Sequence, residues 1–151
     1  MSKKLIRPAE ESDLSDIQRI VDESYSHYIE RIGSKPAPMS DNYAKLIKEH
    51  CVWVFSVEKR LTGLIVLRLK HDHVVVSNVA VGKAYQGRGY GRELLHYADD
   101  FARGKGKCEL RLYTNELMHE NLKIYEKLGW EEYKRAEEDG FRRVFMRKVL
   151  R

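Results

Sequence analysis

Three alternate glycines, Gly87, Gly89 and Gly91, follow the apolar run Val79-Ala80-Val81, with Gln86 before them and Arg88, Tyr90 and Arg92 interleaved. Glycine lacks a Cβ, so such a turn brings backbone N–H groups close to a ligand, and a helix starting there adds the positive end of its dipole. A nest of this kind suits a phosphate. Farther on, Asn121 and Tyr125 lie one helical turn apart, before Gly129-Trp130. An amide and a phenol near the reactive end of a phosphate-bearing ligand would make an enzyme site. Each piece also has a plainer use. The glycines suit any tight strand-to-helix turn, Val79 and Val81 suit a core, Tyr125 could be a packed aromatic and Asn121 could cap a neighbouring backbone. The G-x-G-x-x-G spacing of a dinucleotide site and the Lys-Ser/Thr pair of a Walker loop are both missing.

The elements that must position these residues follow from periodicity. Leu5-Ile6-Arg7 is a short strand stopped by Pro8, and Ser12 or Asp13 caps a helix with apolar positions from Leu14 through Ile32, ending near Gly33. The prolines at 36 and 38 impose a loop. A short helix then runs from Asp41 to His50. Residues 51–57, 61–69 and 74–81 read as an antiparallel meander. A helix from Gly89 to the Gly104-Lys105-Gly106 breaker leads to a strand over 108–113, and this crossover implies parallel pairing with the run ending at Val81. Helix 116–128 and a final hairpin, 130–135 with 141–149, complete the pattern. Asn121 falls on the stripe of Leu117, Ile124 and Leu128, an inward face on which an unsatisfied amide is costly.

At 151 residues with a net charge of +5, the chain fits one domain spanning 1–151 and a mild preference for anionic ligands. Cys51 and Cys108 lack redox or zinc spacing and read as partly buried free thiols. His71-Asp72-His73 has no third ligand at useful spacing and reads as a solvated turn, so no metal is expected. Residues 1–7 turn polar at Pro8 before any signal-peptide core forms, and no run spans a bilayer, so a soluble cytoplasmic protein is expected.

Several matches in order make the chain resemble the GNAT family of acyl-CoA-dependent N-acetyltransferases. They are Ile6-Arg7-Pro8-Ala9 with Asp13-Leu14, the strand 74–81, Gln86-Gly87-Arg88-Gly89-Tyr90-Gly91 as a Q/R-x-x-G-x-G/A loop, and Asn121-x-x-x-Tyr125 before Gly129-Trp130. The resemblance implies an α/β (α+β) fold, with a mixed, mostly antiparallel sheet of about seven strands, about four helices and a splayed parallel pair at the cofactor. It implies acetyl-CoA as cofactor: backbone groups from Gln86 through Arg92 at the pyrophosphate, Val79, Ala80 and Val81 along the pantetheine arm, and Asn121 bonding that arm. It also makes Tyr125 the proton donor and assigns a backbone N–H at or near Val79 to the oxyanion. Many relatives carry a carboxylate where this chain has Ser77-Asn78, so the base falls to a water held by Ser77 or Asn78, or to Glu30 of the first helix.

The acceptor amine, of a small molecule or a peptide, is expected near the segment 25–43. Its candidate contacts are Tyr25, Tyr28, Ile29, Met39 and Tyr43, with Thr114 and Asn115 past the end of the parallel strand. The resemblance is compatible with a homodimer. Two other classes compete: a non-catalytic acyl-CoA sensor or interaction module, and a basic nucleic-acid-binding domain. The second lacks a helix-turn-helix or an aromatic-basic signature, so neither nucleic acid nor membrane is expected as a partner.

Overall fold

In the computed structural model, which describes residues 3–151, seven strands form one sheet. They are β1 (Lys4–Pro8), β2 (Val52–Val57), β3 (Arg60–Leu69), β4 (Val74–Val81), β5 (Glu109–Asn115), β6 (Glu131–Glu138) and β7 (Phe141–Val149), in the order β1-β2-β3-β4-β5-β7-β6. Residues 1 and 2, the start of the segment read for a targeting signal, lie outside the described residues. The α-helices are α1 (Leu14–Tyr25), α2 (Tyr28–Ile32), α3 (Tyr43–Lys48), α4 (Tyr90–Gly104) and α5 (His119–Lys127). No helix among the described residues is long and apolar enough to cross a membrane.

Two apolar layers hold the sheet. Leu94, Leu95, Ala98 and Ala102 of α4 and Tyr125 of α5 pack on one face against Ile65, Leu67, Val76 and Leu112. Ile17, Ile20 and Val21 of α1 and Leu46 and Ile47 of α3 pack on the other, against Val54, Leu64 and Val66. Burying each of the Val, Leu and Ile side chains contributes about 1.5–3 kcal/mol. Strand β3, buried from Leu61 through Leu67, is covered on both faces. Its Gly63 opposes Val81, and a Cβ there would come within 2.8 Å of the Ala80 carbonyl and 3.1 Å of Leu94. Gly63→Val is therefore expected to destabilise the fold by about 1–3 kcal/mol, read as a lower urea midpoint with unchanged slope.

Five helices stand where four are read from the sequence, because the apolar stripe from Leu14 to Ile32 bends at Ser26-His27 into α1 and α2. The Ile29 N–H bonds to the Ser26 carbonyl at 3.1 Å, a tighter turn than the α-helical ladder. The bend lets Tyr25 and Tyr28, both buried, reach different partners. Other helix starts shift for local reasons. Asn42 caps α3 by accepting from the Lys45 N–H at 3.1 Å, and Asn115 accepts from the Leu117 N–H at 2.9 Å, holding residues 116–118 out of α5. Cys51 is half-buried and Cys108 exposed, so only the first thiol is partly shielded as expected. Residues 71–73 form the turn before β4, where His73 Nδ1 and Asp72 Oδ1 lie 2.6 Å apart.

The parallel pairing of β4 with β5 is brief: Val74 registers with Leu110 and Val75 with Arg111, and then the strands part. The break coincides with a bulge at Ser77, since Val66 opposes Asn78 while Leu67 opposes Val76. An extra residue bends a strand and shifts its side-chain alternation by one. Val76, Val79 and Val81 therefore stay on the α4 face, while Asn78 and Ala80 turn toward α1.

Candidate active site

Past Val81 the chain makes the turn expected of a phosphate nest. Gly82 N–H bonds back to Thr62 at 2.8 Å, and Gly87 and Gly89 both adopt φ of +82°. Nothing lies within 4 Å of a Cβ built at either glycine, so backbone conformation, not space, selects them. Gly89 is the N-cap of α4 and offers no side-chain bond to the first-turn N–H groups, which stay available to an anion. Arg88 and Arg92 are exposed beside them, and Arg88 lies over the Tyr85 ring at 5.7 Å.

The hydrogen-bond phase of β4 decides what faces the gap. With Gly82 bonded to Thr62, antiparallel alternation turns the backbone of Ala80 and Asn78 to β3, and that of Val79 and Val81 away from it. The carbonyls of Val79 and Val81 accept from Tyr25 Oη at 2.9 Å and Gln86 Nε2 at 3.0 Å. No residue of β5 registers with either valine, so their N–H groups line an open strand edge. Ala80, read with them as a cofactor contact, has its backbone turned to β3 and its methyl in the α1-side core.

Two cavities meet at this gap. A groove of about 430 Å³ runs over Val79, Val81, Gln86, Gly87, Gly89, Gly91, Arg92 and Tyr90. A cleft of about 70 Å³ opens on the far side between the 36–41 segment and the ends of β5 and β7. Tyr25, Val79, Asn121 and Tyr125 line both. Tyr125 is 9% exposed, and its hydroxyl makes no hydrogen bond among the described residues. Burial pushes its phenol up to about 12, so it is protonated throughout the neutral range. Asn121 is half-buried one turn earlier, and the stripe through it faces the core only at Leu128: Ile124 is 45% exposed on the groove wall, and Leu117 precedes the helix.

Asn78 is tied down. It is 4% exposed, its Oδ1 lies 2.5 Å from the Tyr25 hydroxyl, and its Nδ2 donates to Tyr43 Oη at 2.9 Å, which donates onward to the Pro38 carbonyl at 2.6 Å. Burial holds the phenols of Tyr25 and Tyr43 above their ordinary range, so both remain donors. An amide with these partners braces α1 and the 36–40 segment against β4, and it lines the cleft with one Oδ1 lone pair and one Nδ2 proton outside these bonds. Tyr28 lines the groove and donates to Glu120 at 2.6 Å, while Arg31 reaches the same carboxylate at 3.0 Å, joining α2 to α5.

The remaining candidates divide. Thr114, Asn115 and Ser77 line the cleft, and Ser77 accepts from Arg68 Nε at 3.2 Å. Met39 packs against the α1-side core, and neither it, Ile29 nor Glu30 lines the cleft or the groove. Two charged residues that the sequence does not single out do line the cleft: Asp41 and Arg143. Asp41 stands at the mouth among enough protein atoms that burial raises its carboxyl pKa, with Arg68 opposing the rise.

A family model described as "Acetyltransferase (GNAT) family" matches residues 14–130. The chain belongs to the GNAT acetyltransferase family. That match covers both helices bearing the candidate residues and the glycine loop, and this GNAT chain has the fold and family character of an acyl-CoA-dependent acetyltransferase, whose cofactor is acetyl-CoA. Solved structures agree in fold. PaiA N-acetyltransferase from Thermoplasma acidophilum, in complex with coenzyme A, is 20% identical with a TM-score of 0.75, over 97% of this chain and 99% of that one. Arabidopsis thaliana Naa50, in complex with a bisubstrate analogue, is 18% identical with a TM-score of 0.75, over 97% and 99%. The ribosomal-protein-S18-alanine N-acetyltransferase of Escherichia coli is 18% identical with a TM-score of 0.72, over 98% and 94%. No curated protein matches the chain in sequence.

Proposed function

We propose that this chain transfers the acetyl group of acetyl-CoA to the primary amine of a small molecule or peptide by direct attack of the amine on the thioester. One observation carries the reading: the open N–H edge of Val79 and Val81 runs from the glycine nest to the junction where Tyr125 meets the second cleft. A nest for phosphates, a strand edge for an amide-bearing arm and a phenol at the far end match the chemistry of a CoA thioester in order. Bound acetyl-CoA supplies an acyl group activated as a thioester. The Gly87–Gly91 backbone and the α4 N-terminus hold the pyrophosphate, with Arg92 beside it. The Val79 and Val81 N–H groups align the arm, and Asn121 fixes it from α5.

In this reading the Val79 N–H also stabilises negative charge developing on the carbonyl oxygen, an effect worth roughly 3 kcal/mol for a single donor. Tyr125 Oη gives its proton to the departing sulfur. Asp41 takes the proton from the attacking amine, directly or through a water, supplying the carboxylate that β4 lacks at Ser77-Asn78. Asn78 positions Tyr25 and the 36–40 wall.

Calorimetric titration with acetyl-CoA tests the cofactor half. Binding is expected, and Gly89→Val, which forces a branched side chain into positive φ at the nest, is expected to weaken it about tenfold. No heat of binding at millimolar acetyl-CoA would overturn the proposal.

A further inference from the structure

Arg143 has more hydrogen-bonding capacity than the protein uses. Its side chain, on β7 opposite Asn115, is 9% exposed, and it lines the acceptor cleft but not the cofactor groove. The guanidinium lies over the Tyr113 ring at 4.4 Å and near the Phe141 ring at 5.7 Å. Its ion pairs are long and use one nitrogen: Nη1 stands 3.4 Å from Glu138 and 3.6 Å from Asp139, whose carboxylates are 47% and 83% exposed at the hairpin tip. Among the described residues Nη2 and Nε make no hydrogen bond. A guanidinium presents five N–H donors in a planar fork, and the donors that the two ion pairs leave unused are open to a ligand in the cleft. Two aromatic faces fix the plane of that fork at the cleft wall.

Resting on the acetyltransferase reading above, we propose that Arg143 binds an anionic group of the acceptor, so that the preferred substrate is a compact amine carrying a carboxylate or phosphate. The cleft leads from Arg143 to Tyr125, past Thr114 and Asn115, whose polar side chains complete a lining for anionic oxygens. Asn115 Oδ1 is occupied by the Leu117 N–H, which leaves its amide N–H groups as donors. The phosphates of the cofactor have their own nest at the other end of the groove, so the charge Arg143 matches belongs to the acceptor. Asp41, from the opposite segment of the same cleft, faces the amine end.

The test is CoA release with matched acceptors: amino acids, their methyl esters, the corresponding decarboxylated amines, and aminoalkyl phosphates. The anionic members are expected to exceed their uncharged counterparts by about ten- to a hundredfold in kcat/KM, the range of a charged hydrogen-bonded contact. Whether carboxylates or phosphates lead identifies the anion. Arg143→Gln is expected to abolish that advantage through KM, leaving kcat with uncharged amines and acetyl-CoA affinity unchanged, and Arg143→Lys to restore part of it. Equal use of charged and uncharged amines, or an Arg143→Gln loss shared by all of them, overturns the subsite alone. Release with none of them overturns the subsite, and absence of acetyl-CoA binding overturns the transferase reading with it.

Discussion

Tyr125→Phe is expected to lower kcat by about 10²–10⁴-fold while leaving acetyl-CoA affinity unchanged, measured by steady-state CoA release beside calorimetry. The substitution removes one oxygen from a 9% exposed ring and leaves its packing against Trp130, 6.0 Å between centroids, in place. Because the hydroxyl bonds to nothing among the described residues, its loss strands no buried partner and the fold is expected to hold. A phenol raised to about 12 is a weaker acid than an ordinary thiol near 8.5, so Tyr125 releases its proton only as charge grows on the sulfur beside it, in the same desolvated pocket. The wild-type rate is accordingly expected to show no alkaline loss from Tyr125 below pH ~11. A non-catalytic acyl-CoA sensor would give no turnover in either protein.

Asp41→Asn is expected to cost about 10²–10⁴ in kcat/KM at neutral pH and to remove the acidic limb of the rate profile. Desolvation raises the Asp41 pKa, so the base is lost as pH falls through a value above that of an ordinary carboxylate. The stability consequence has the opposite sense. A carboxyl whose folded-state pKa is raised binds its proton more tightly in the native protein, so its favourable contribution is complete below the unfolded pKa and disappears as pH rises through the folded one. The amide that replaces it in the variant, uncharged at every pH, lacks that loss. Thermal unfolding is expected to find Asp41→Asn no less stable than wild type at neutral pH, while activity falls. A variant that loses activity and stability in parallel would mark Asp41 as structural.

Those two residues differ in how visible they are from sequence. Tyr125 stands in a spaced pattern with Asn121 and Gly129-Trp130, and the role proposed for it is the one implied by the resemblance that pattern carries. Asp41 and Arg143 come from a loop and a hairpin strand, and only the tertiary fold, which sets the 36–41 segment across the cleft from the start of β7, brings them to one cavity. Strands rich in β-branched and aromatic residues, Val74–Val81 and Phe141–Val149, can be bounded from sequence alone. The break at Ser26-His27 cannot, because its cause is the separate destinations of Tyr25 and Tyr28, at Asn78 and Glu120. Asn78 is harder still. A bulge at Ser77 reverses the face to which it points, and no residue in Val-Ser-Asn-Val announces that extra step.

The short contact between β4 and β5 has a mechanical meaning. Backbone pairing at Val74 with Leu110 and Val75 with Arg111 joins strands β1 to β4 to strands β5 to β7, and the core on the α4 face, with Val74, Val76, Leu110 and Leu112, spans the same junction. A ligand threaded along Val79 and Val81 occupies the place of a missing strand and becomes a rivet across the molecule. Its binding free energy is then also cohesion of the fold, about 2.7 kcal/mol at a ligand concentration one hundred times its Kd. The protein's rigidity is thereby coupled to its supply of acyl donor.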